Sequence, residues 1–118
     1  MWRASILLIG LLSACASSQV GYVPIGQAYE ARPAHHDITV YLGDERPQQP
    51  YVEVAILDVH MESIGFVTIK LENAIEALQN QARAAGGDAI IEVVETDSGY
   101  LEAAMYHVRA KAVRYILE

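Results

Sequence analysis

The sequence predicts an α+β fold of the order β-β-α-β-β, in which one helix packs on a mostly antiparallel four-stranded sheet. A stretch around residues 71–85 repeats its apolar residues with the period of a helix, and the segments on either side alternate or run apolar as strands do. About a hundred residues follow the N-terminal segment, which suffices for one small domain with one core. We assign this domain to residues 37–118.

The first two strands are predicted from β-branched and aromatic residues. Residues 38–42 are Ile-Thr-Val-Tyr-Leu and end at Gly43-Asp44, a turn signal. Residues 51–59 alternate with period two and become apolar on both faces toward Val59. We therefore expect a short strand, a loop, and a second strand that enters a more buried setting.

The helix is predicted from one apolar stripe with charged and amide residues on the other faces. The stripe consists of Leu71, Ala74, Ile75, Leu78, Ala82 and Ala85. Thr68 is placed at the N-cap, because its hydroxyl can accept a hydrogen bond from an amide of the first turn. Gly86-Gly87 ends the helix, since glycine adopts the left-handed geometry common just past a C-terminus.

Two further strands are predicted after the helix. Residues 88–94 are almost continuously apolar, as in a central strand covered on much of both faces. Asp97-Ser98-Gly99 is predicted to turn the chain, and residues 101–116 then alternate as a half-buried strand. With only one helix predicted, the opposite face of the sheet must be polar, be covered by the N-terminal segment, or pair with another protein.

The first residues are typical of an export signal. Arg3 precedes an apolar run over residues 6–12, and the small residues Ser13-Ala14 follow. The run is too short for a membrane-spanning helix, which needs roughly 20 apolar residues. Leu12-Ser13-Ala14-Cys15 resembles the lipobox of bacterial lipoproteins, and Cys15 is the only cysteine.

This resemblance implies that residues 1–14 are a signal peptide and that Cys15 carries a diacylglycerol and an N-acyl chain. The chain would then be anchored in the membrane by lipid, and the alternatives are an ordinary signal peptide or an incidental cysteine. Because Ala16 rather than Asp follows Cys15, the resemblance favours the outer membrane of the bacterial cell envelope, in its inner leaflet and facing the periplasm. Residues 15–36 are interpreted as a lipidated N-terminus and linker, although their valines and tyrosines leave open that part of the segment docks on the domain.

The remainder of the chain resembles a superfamily of small bacterial α+β domains that includes the stress-sensor lipoprotein of the Rcs phosphorelay and lipoproteins of unknown function. The similarity covers roughly residues 40–114, and its most specific part is Ala85-Gly86-Gly87-Asp88-Ala89-Ile90. That sensor contains disulfides, whereas this chain has no cysteine besides Cys15. The resemblance therefore implies only an envelope lipoprotein with a non-catalytic domain that interacts with other proteins.

His35-His36-Asp37 is a candidate metal cluster, because imidazole and carboxylate groups suit zinc, copper or nickel. Adjacent residues rarely converge on one ion, so a site at His35 and His36 would need His60 or His107 nearby. The opposing interpretation is a polar junction between linker and strand.

No serine or cysteine motif of nucleophilic catalysis is present, so we expect no enzyme and no cofactor other than the lipid on Cys15.

The formal net charge of −7 argues against nucleic acid as a partner. On this acidic chain, Arg109 and Lys111 share one face of the last strand and form a local basic stripe. The stripe is interpreted either as a solvated surface or as a site for an acidic partner or a second copy. Two functions remain open: a non-enzymatic interaction or sensing lipoprotein, and a lipoprotein that binds a metal or small ligand through His35 and His36.

Overall fold

The structure, a computed structural model, describes residues 21–64, 71–100 and 103–117. These residues form five strands and one helix, namely β1 (Tyr22–Pro24), β2 (Thr39–Val40), β3 (Tyr51–Ile64), α1 (Leu71–Ala84), β4 (Ala89–Tyr100) and β5 (Ala103–Tyr115). The predicted α+β class is confirmed. No helix within these ranges has the length and apolar character needed to cross a membrane.

The sheet is mixed and its strand order is β1-β3-β5-β4-β2. Strand β2 pairs with β4 in parallel, and every other pair is antiparallel. The sheet is mostly antiparallel, as predicted, but it has five strands instead of four and includes one parallel pair. The parallel pair is possible because β3 and α1 lie between β2 and β4 in sequence and supply the long crossover that such pairing requires.

The additional strand β1 lies within the segment that was interpreted as a linker. Its three residues pair with residues 55–57 of β3, and Tyr22 packs against the core. Tyr29 also packs against the core. The part of the segment from residue 21 onward is thus docked on the domain, whereas residues 15–20 lie outside the described residues.

Helix α1 covers one face of the sheet with its predicted apolar stripe. Ala74, Leu78 and Ala82 are fully buried, and they pack against apolar side chains from all three long strands. The sheet side of this core comprises Val54, Ala55, Leu57, Val59, Ile90, Tyr106, Val108, Ala110 and Ala112. Burial of this stripe, rather than intrinsic helix propensity, is the main source of the helix's stability. The predicted N-cap Thr68 lies outside the described residues.

The helix ends in a Schellman motif, as the glycine pair predicts. Gly86 has a φ of 86°, its N–H donates to the carbonyl of Arg83 at 3.0 Å, and the Gly87 N–H donates to the carbonyl of Ala82 at 2.8 Å. A Cβ on Gly86 would lie 2.7 Å from the Cβ of Tyr29. Glycine is therefore required here both by backbone geometry and by the close approach of the N-terminal segment.

The predicted turn at Asp97-Ser98-Gly99 is wrong. These residues belong to β4 and pair with residues 104–106 of β5, and the pairing continues to Tyr100 and Ala103. Local turn signals were outweighed by continuous cross-strand pairing, since strand formation depends on the neighbouring strand more than on intrinsic preference. The predicted alternation of β5 is confirmed by Val108 and Ala110, which are buried beside the exposed His107 and Arg109.

The sheet face opposite α1 has a smaller core of its own at one end. Ala89, Ile91 and Val113 are fully buried there under three partly buried tyrosines, Tyr41, Tyr51 and Tyr115. Burial and a hydrogen bond to Tyr41 raise the pKa of Tyr115 to about 12. Because Ile90 and Ile91 are both fully buried, the prediction that much of both faces is covered is confirmed for the start of this strand, whereas Val94 is 58% exposed.

Candidate functional site

Asp88 connects the N-terminal segment to the start of β4. Its side chain is 8% exposed, and its Oδ2 accepts hydrogen bonds from Arg32 Nη2 at 3.0 Å and from the backbone N–H of Tyr115 at 2.9 Å. Its Oδ1 lies 2.7 Å from Nε2 of His36. We call Asp88, Arg32 and His36 the Asp88 clasp.

The surroundings of Asp88 favour its ionised form. Burial alone would raise the pKa of the carboxyl group, but the N–H of Tyr115, the ring of His36 and the guanidinium of Arg32 together hold this pKa below its ordinary value. Arg83 secures the same segment, because its Nε donates to the carbonyl of His36 at 2.7 Å. The clasp thus fixes residues 32–36 against the end of α1.

His35 and His36, the predicted metal ligands, have different surroundings in the structure. His35 is exposed, whereas His36 is bound to Asp88. Within the described ranges, no group of three or more His, Cys, Asp or Glu side chains is arranged to hold a metal ion. The observed role of His36 is therefore to bind Asp88, and a metal site at this pair stays a prediction.

Lys111, one of the two cations of the predicted basic stripe, is neutralised by its neighbours. Its Nζ lies 3.3 Å from Glu53 Oε1 and 3.3 Å from Glu92 Oε1. Hydrogen bonds to Glu92 and Glu53 raise the pKa of Lys111. Arg46 Nη2 lies 3.2 Å from the other carboxylate oxygen of Glu92. Two cations and two carboxylates in this part of the sheet are therefore connected by surface ion pairs.

Arg109, the other cation of the stripe, is exposed and makes no hydrogen bond or ion pair within the part of the chain that the structure describes. It lines a shallow pocket of about 240 Å³ together with Val94, Thr96 and His107. The two predicted partner-binding residues are therefore not equivalent. Lys111 is held in two ion pairs, whereas Arg109 makes none among the described residues, and Asp58 is its cross-strand neighbour on β3.

Apolar side chains border Arg109 on the same side of the sheet. Val94 is 58% exposed and is the register partner of Arg109 on β4, and Ile56 is 39% exposed on β3. Ile56 is the cross-strand partner of Lys111, and Lys111 lies on the same face as Arg109 because the two are two residues apart on β5. Ile56 therefore lies on this face as well. We call Ile56, Val94, Thr96, His107 and Arg109 the open face.

A histidine pair shares one residue, His107, with the open face. His60 and His107 are direct partners across β3 and β5, with Nδ1 atoms 3.4 Å apart and ring centroids 4.6 Å apart. On the other side of its ring, His107 Nε2 lies 3.5 Å from Asp58 Oδ1. Sequence alone does not pair these histidines, because two residues far apart in sequence become neighbours only through strand register.

Cys15, the predicted lipidation site, lies outside the described residues. The chain matches no protein-family model, and comparisons with characterised proteins and with solved structures found no significant match. The candidate sites are therefore the Asp88 clasp, the open face and the histidine pair.

Proposed function

We propose that this chain is a lipid-anchored protein of the bacterial envelope that binds a protein partner through the open face and catalyses no reaction. The observation that supports this function is Arg109, an exposed guanidinium without a partner among the described residues, flanked by the exposed apolar side chains of Ile56 and Val94. The anchor at Cys15 is taken from the lipobox in the sequence.

Arg109 and its apolar neighbours have the chemistry of an interface centre. Interfaces are enriched in arginine and depleted in lysine, and their strongest contacts are clustered residues that lose water on binding. Arginine also presents a planar fork that binds a carboxylate through two parallel hydrogen bonds. The proposed partner therefore offers an Asp or Glu side chain to Arg109 and apolar groups to Ile56 and Val94.

A different protein fits the open face better than a second copy of this chain. In a two-fold symmetric dimer, the same patch meets itself, so two Arg109 side chains near the axis would repel each other. A partner with a carboxylate at that position meets no such repulsion. Lys111 contributes little, because Glu53 and Glu92 already neutralise it.

The lipid on Cys15 would hold this face near the membrane. Each buried methylene group contributes about 0.8 kcal/mol, and stable anchoring takes two membrane-binding signals such as dual acylation, so a diacylglycerol with an additional acyl chain would retain the protein durably. Confinement beside a partner in the same envelope raises the effective concentration of both proteins, which allows a small interface to be occupied. We place the protein in the inner leaflet of the outer membrane, facing the periplasm.

Arg109→Glu is expected to reduce partner binding about tenfold or more, because attraction to the partner's carboxylate becomes repulsion. The measurement is photo-crosslinking in intact cells from an unnatural amino acid at Thr96, which lines the same pocket. Crosslinking of the parent protein should also weaken when salt is raised in membrane preparations. Glu76→Lys, a charge reversal on the exposed side of α1, is the matched control and should leave the yield unchanged.

Equal crosslinking in Arg109→Glu and in the parent protein would show that the open face does not bind through this charge. A crosslinked product made of two copies of this chain would overturn the assignment of a different protein as the partner.

A further inference from the structure

We propose that His60 and His107 together bind a divalent transition-metal ion such as Zn²⁺ through their Nδ1 atoms, and that Asp58 positions His107 for this role. This site is distinct from the predicted pair His35 and His36, and it does not depend on the proposed partner binding. Imidazole nitrogen is a preferred ligand of Zn²⁺, Cu²⁺ and Ni²⁺.

The separation of the two Nδ1 atoms fits a shared ion. Zinc binds imidazole nitrogen at about 2.0–2.1 Å, and two such bonds at a tetrahedral angle place the nitrogens roughly 3.3–3.4 Å apart. The observed separation is 3.4 Å. The rings are inclined by 55° with centroids 4.6 Å apart, and the proposed site requires both Nδ1 lone pairs to face the ion between them.

Asp58 favours the tautomer of His107 that a metal requires. A carboxylate beside Nε2 stabilises the proton on that nitrogen and leaves the Nδ1 lone pair available on the side of His60. Ligating histidines commonly donate their other N–H to a carboxylate, which fixes the ring and increases the basicity of the ligating nitrogen. Asp58 lies where such a carboxylate would lie, with Oδ1 3.5 Å from His107 Nε2, and His60 lies on the other side of the ring.

One oxygen of the Asp58 carboxylate can accept a further hydrogen bond. The side chain is 41% exposed as a whole, yet its Oδ1 is shielded from solvent and accepts no hydrogen bond from the described residues. A buried carboxylate oxygen without a donor is costly. Metal binding would make the Nε2–H of His107 more acidic and strengthen its interaction with this oxygen. The ion would thereby supply the hydrogen bond that Asp58 Oδ1 lacks among the described residues.

The backbone around Asp58 is held rigidly, which suits a positioning residue. The amide of Gln81 receives a hydrogen bond from the Asp58 N–H at 3.1 Å and donates one to the Asp58 carbonyl at 2.9 Å. His60 and His107 lie on paired positions of two long strands and are both exposed. Two paired strand residues therefore supply the protein ligands that the described part of the chain offers.

The test is isothermal titration of the detergent-solubilised full chain with ZnCl₂, combined with elemental analysis after dialysis. We expect one Zn²⁺ per chain, and a loss of affinity of at least tenfold in His60→Ala and in His107→Ala. Asp58→Asn should weaken binding about 10- to 100-fold while leaving both ligands in place, which is the range for residues that support a metal ligand. His35→Ala is the matched control and should bind as the parent chain does.

Binding of Cu²⁺ gives a second measurement, which would not differ between the parent chain and the variants if the two histidines had only a structural role. Its electron paramagnetic resonance spectrum should show coupling to two imidazole nitrogens in the parent chain and to one in either histidine variant. Stoichiometric zinc binding by the double variant His60→Ala/His107→Ala, loss of binding in His35→Ala, or no zinc binding by the parent chain would each overturn the proposal.

Discussion

Replacing Asp88 with alanine is expected to lower the free energy of unfolding by about 3–5 kcal/mol, the range for removing one partner of a buried ion pair. The substitution removes the acceptor of Arg32 Nη2 and of the Tyr115 N–H, and it leaves His36 Nε2 without its carboxylate. Arg32 has little alternative, since its Nε is already buried without a hydrogen-bond partner among the described residues. The N-terminal segment should then be held at the end of α1 by Arg83, whose Nε still donates to the carbonyl of His36.

The Asp88 clasp also predicts how stability changes with pH. The pKa of Asp88 is lower in the folded chain than its ordinary value of 3.8, so the ionised carboxylate stabilises the fold. This contribution is fully present above pH 3.8 and is lost as the pH falls through the lower, folded pKa. Asp88→Asn should remove that part of the acid dependence.

Urea denaturation at neutral and acidic pH measures both effects. Glu92→Gln is the matched control, because Glu92 is 38% exposed and its ion pairs lie at the surface, where a pair contributes about 0–1 kcal/mol. A change of less than 1 kcal/mol in Asp88→Ala, equal to the control, would show that the clasp does not stabilise the fold.

Leu78→Ala is expected to destabilise the protein by about 2–5 kcal/mol. Leu78 is fully buried at the centre of the apolar stripe of α1, so truncation removes buried apolar surface and leaves a cavity between helix and sheet. Because one helix covers this side of the sheet in the described residues, few elements can shift to fill the space.

Thermal and chemical denaturation of Leu78→Ala should be compared with Leu117→Ala. The same truncation at Leu117, which is 91% exposed, should change stability by less than about 0.5 kcal/mol. Similar values for the two variants would contradict the packing of α1 described here.

The helix and its end were the most predictable parts of the fold. A 3.6-residue apolar period over Leu71 to Ala85, followed by two glycines, specifies both the buried face and the stop, because these signals are local. The alternation of β5 and the double burial of Ile90 and Ile91 followed in the same way from local pattern. Local pattern alone therefore fixed the α+β class.

Strand pairing was less predictable, because it depends on residues distant in sequence. β1 has only three residues, and its docking depends on the edge of β3. The turn expected at Asp97-Ser98-Gly99 was overridden by pairing with β5. Both differences concern which strand pairs with which, and the sequence of a single strand does not specify its neighbour in the sheet.

The candidate sites show the same limit. Alternation placed Arg109 and Lys111 on one face, but only the structure shows that Lys111 is held in two ion pairs while Arg109 makes none among the described residues. His60 and His107 are brought together by register. Asp88 follows the glycine pair directly, and a charged residue at the start of a buried strand was the one sequence signal that could have indicated a buried ion pair.

Replacing Cys15 with serine tests the proposed anchored binding domain most directly. Cell fractionation should find the parent chain in the membrane with a mass increased by its acyl chains, and Cys15→Ser in the soluble fraction with an unchanged melting temperature, because the described strands and helix begin at Tyr22. A Cys15→Ser variant that still fractionates with the membrane, or a parent chain whose Cys15 thiol reacts with a maleimide, would contradict the account.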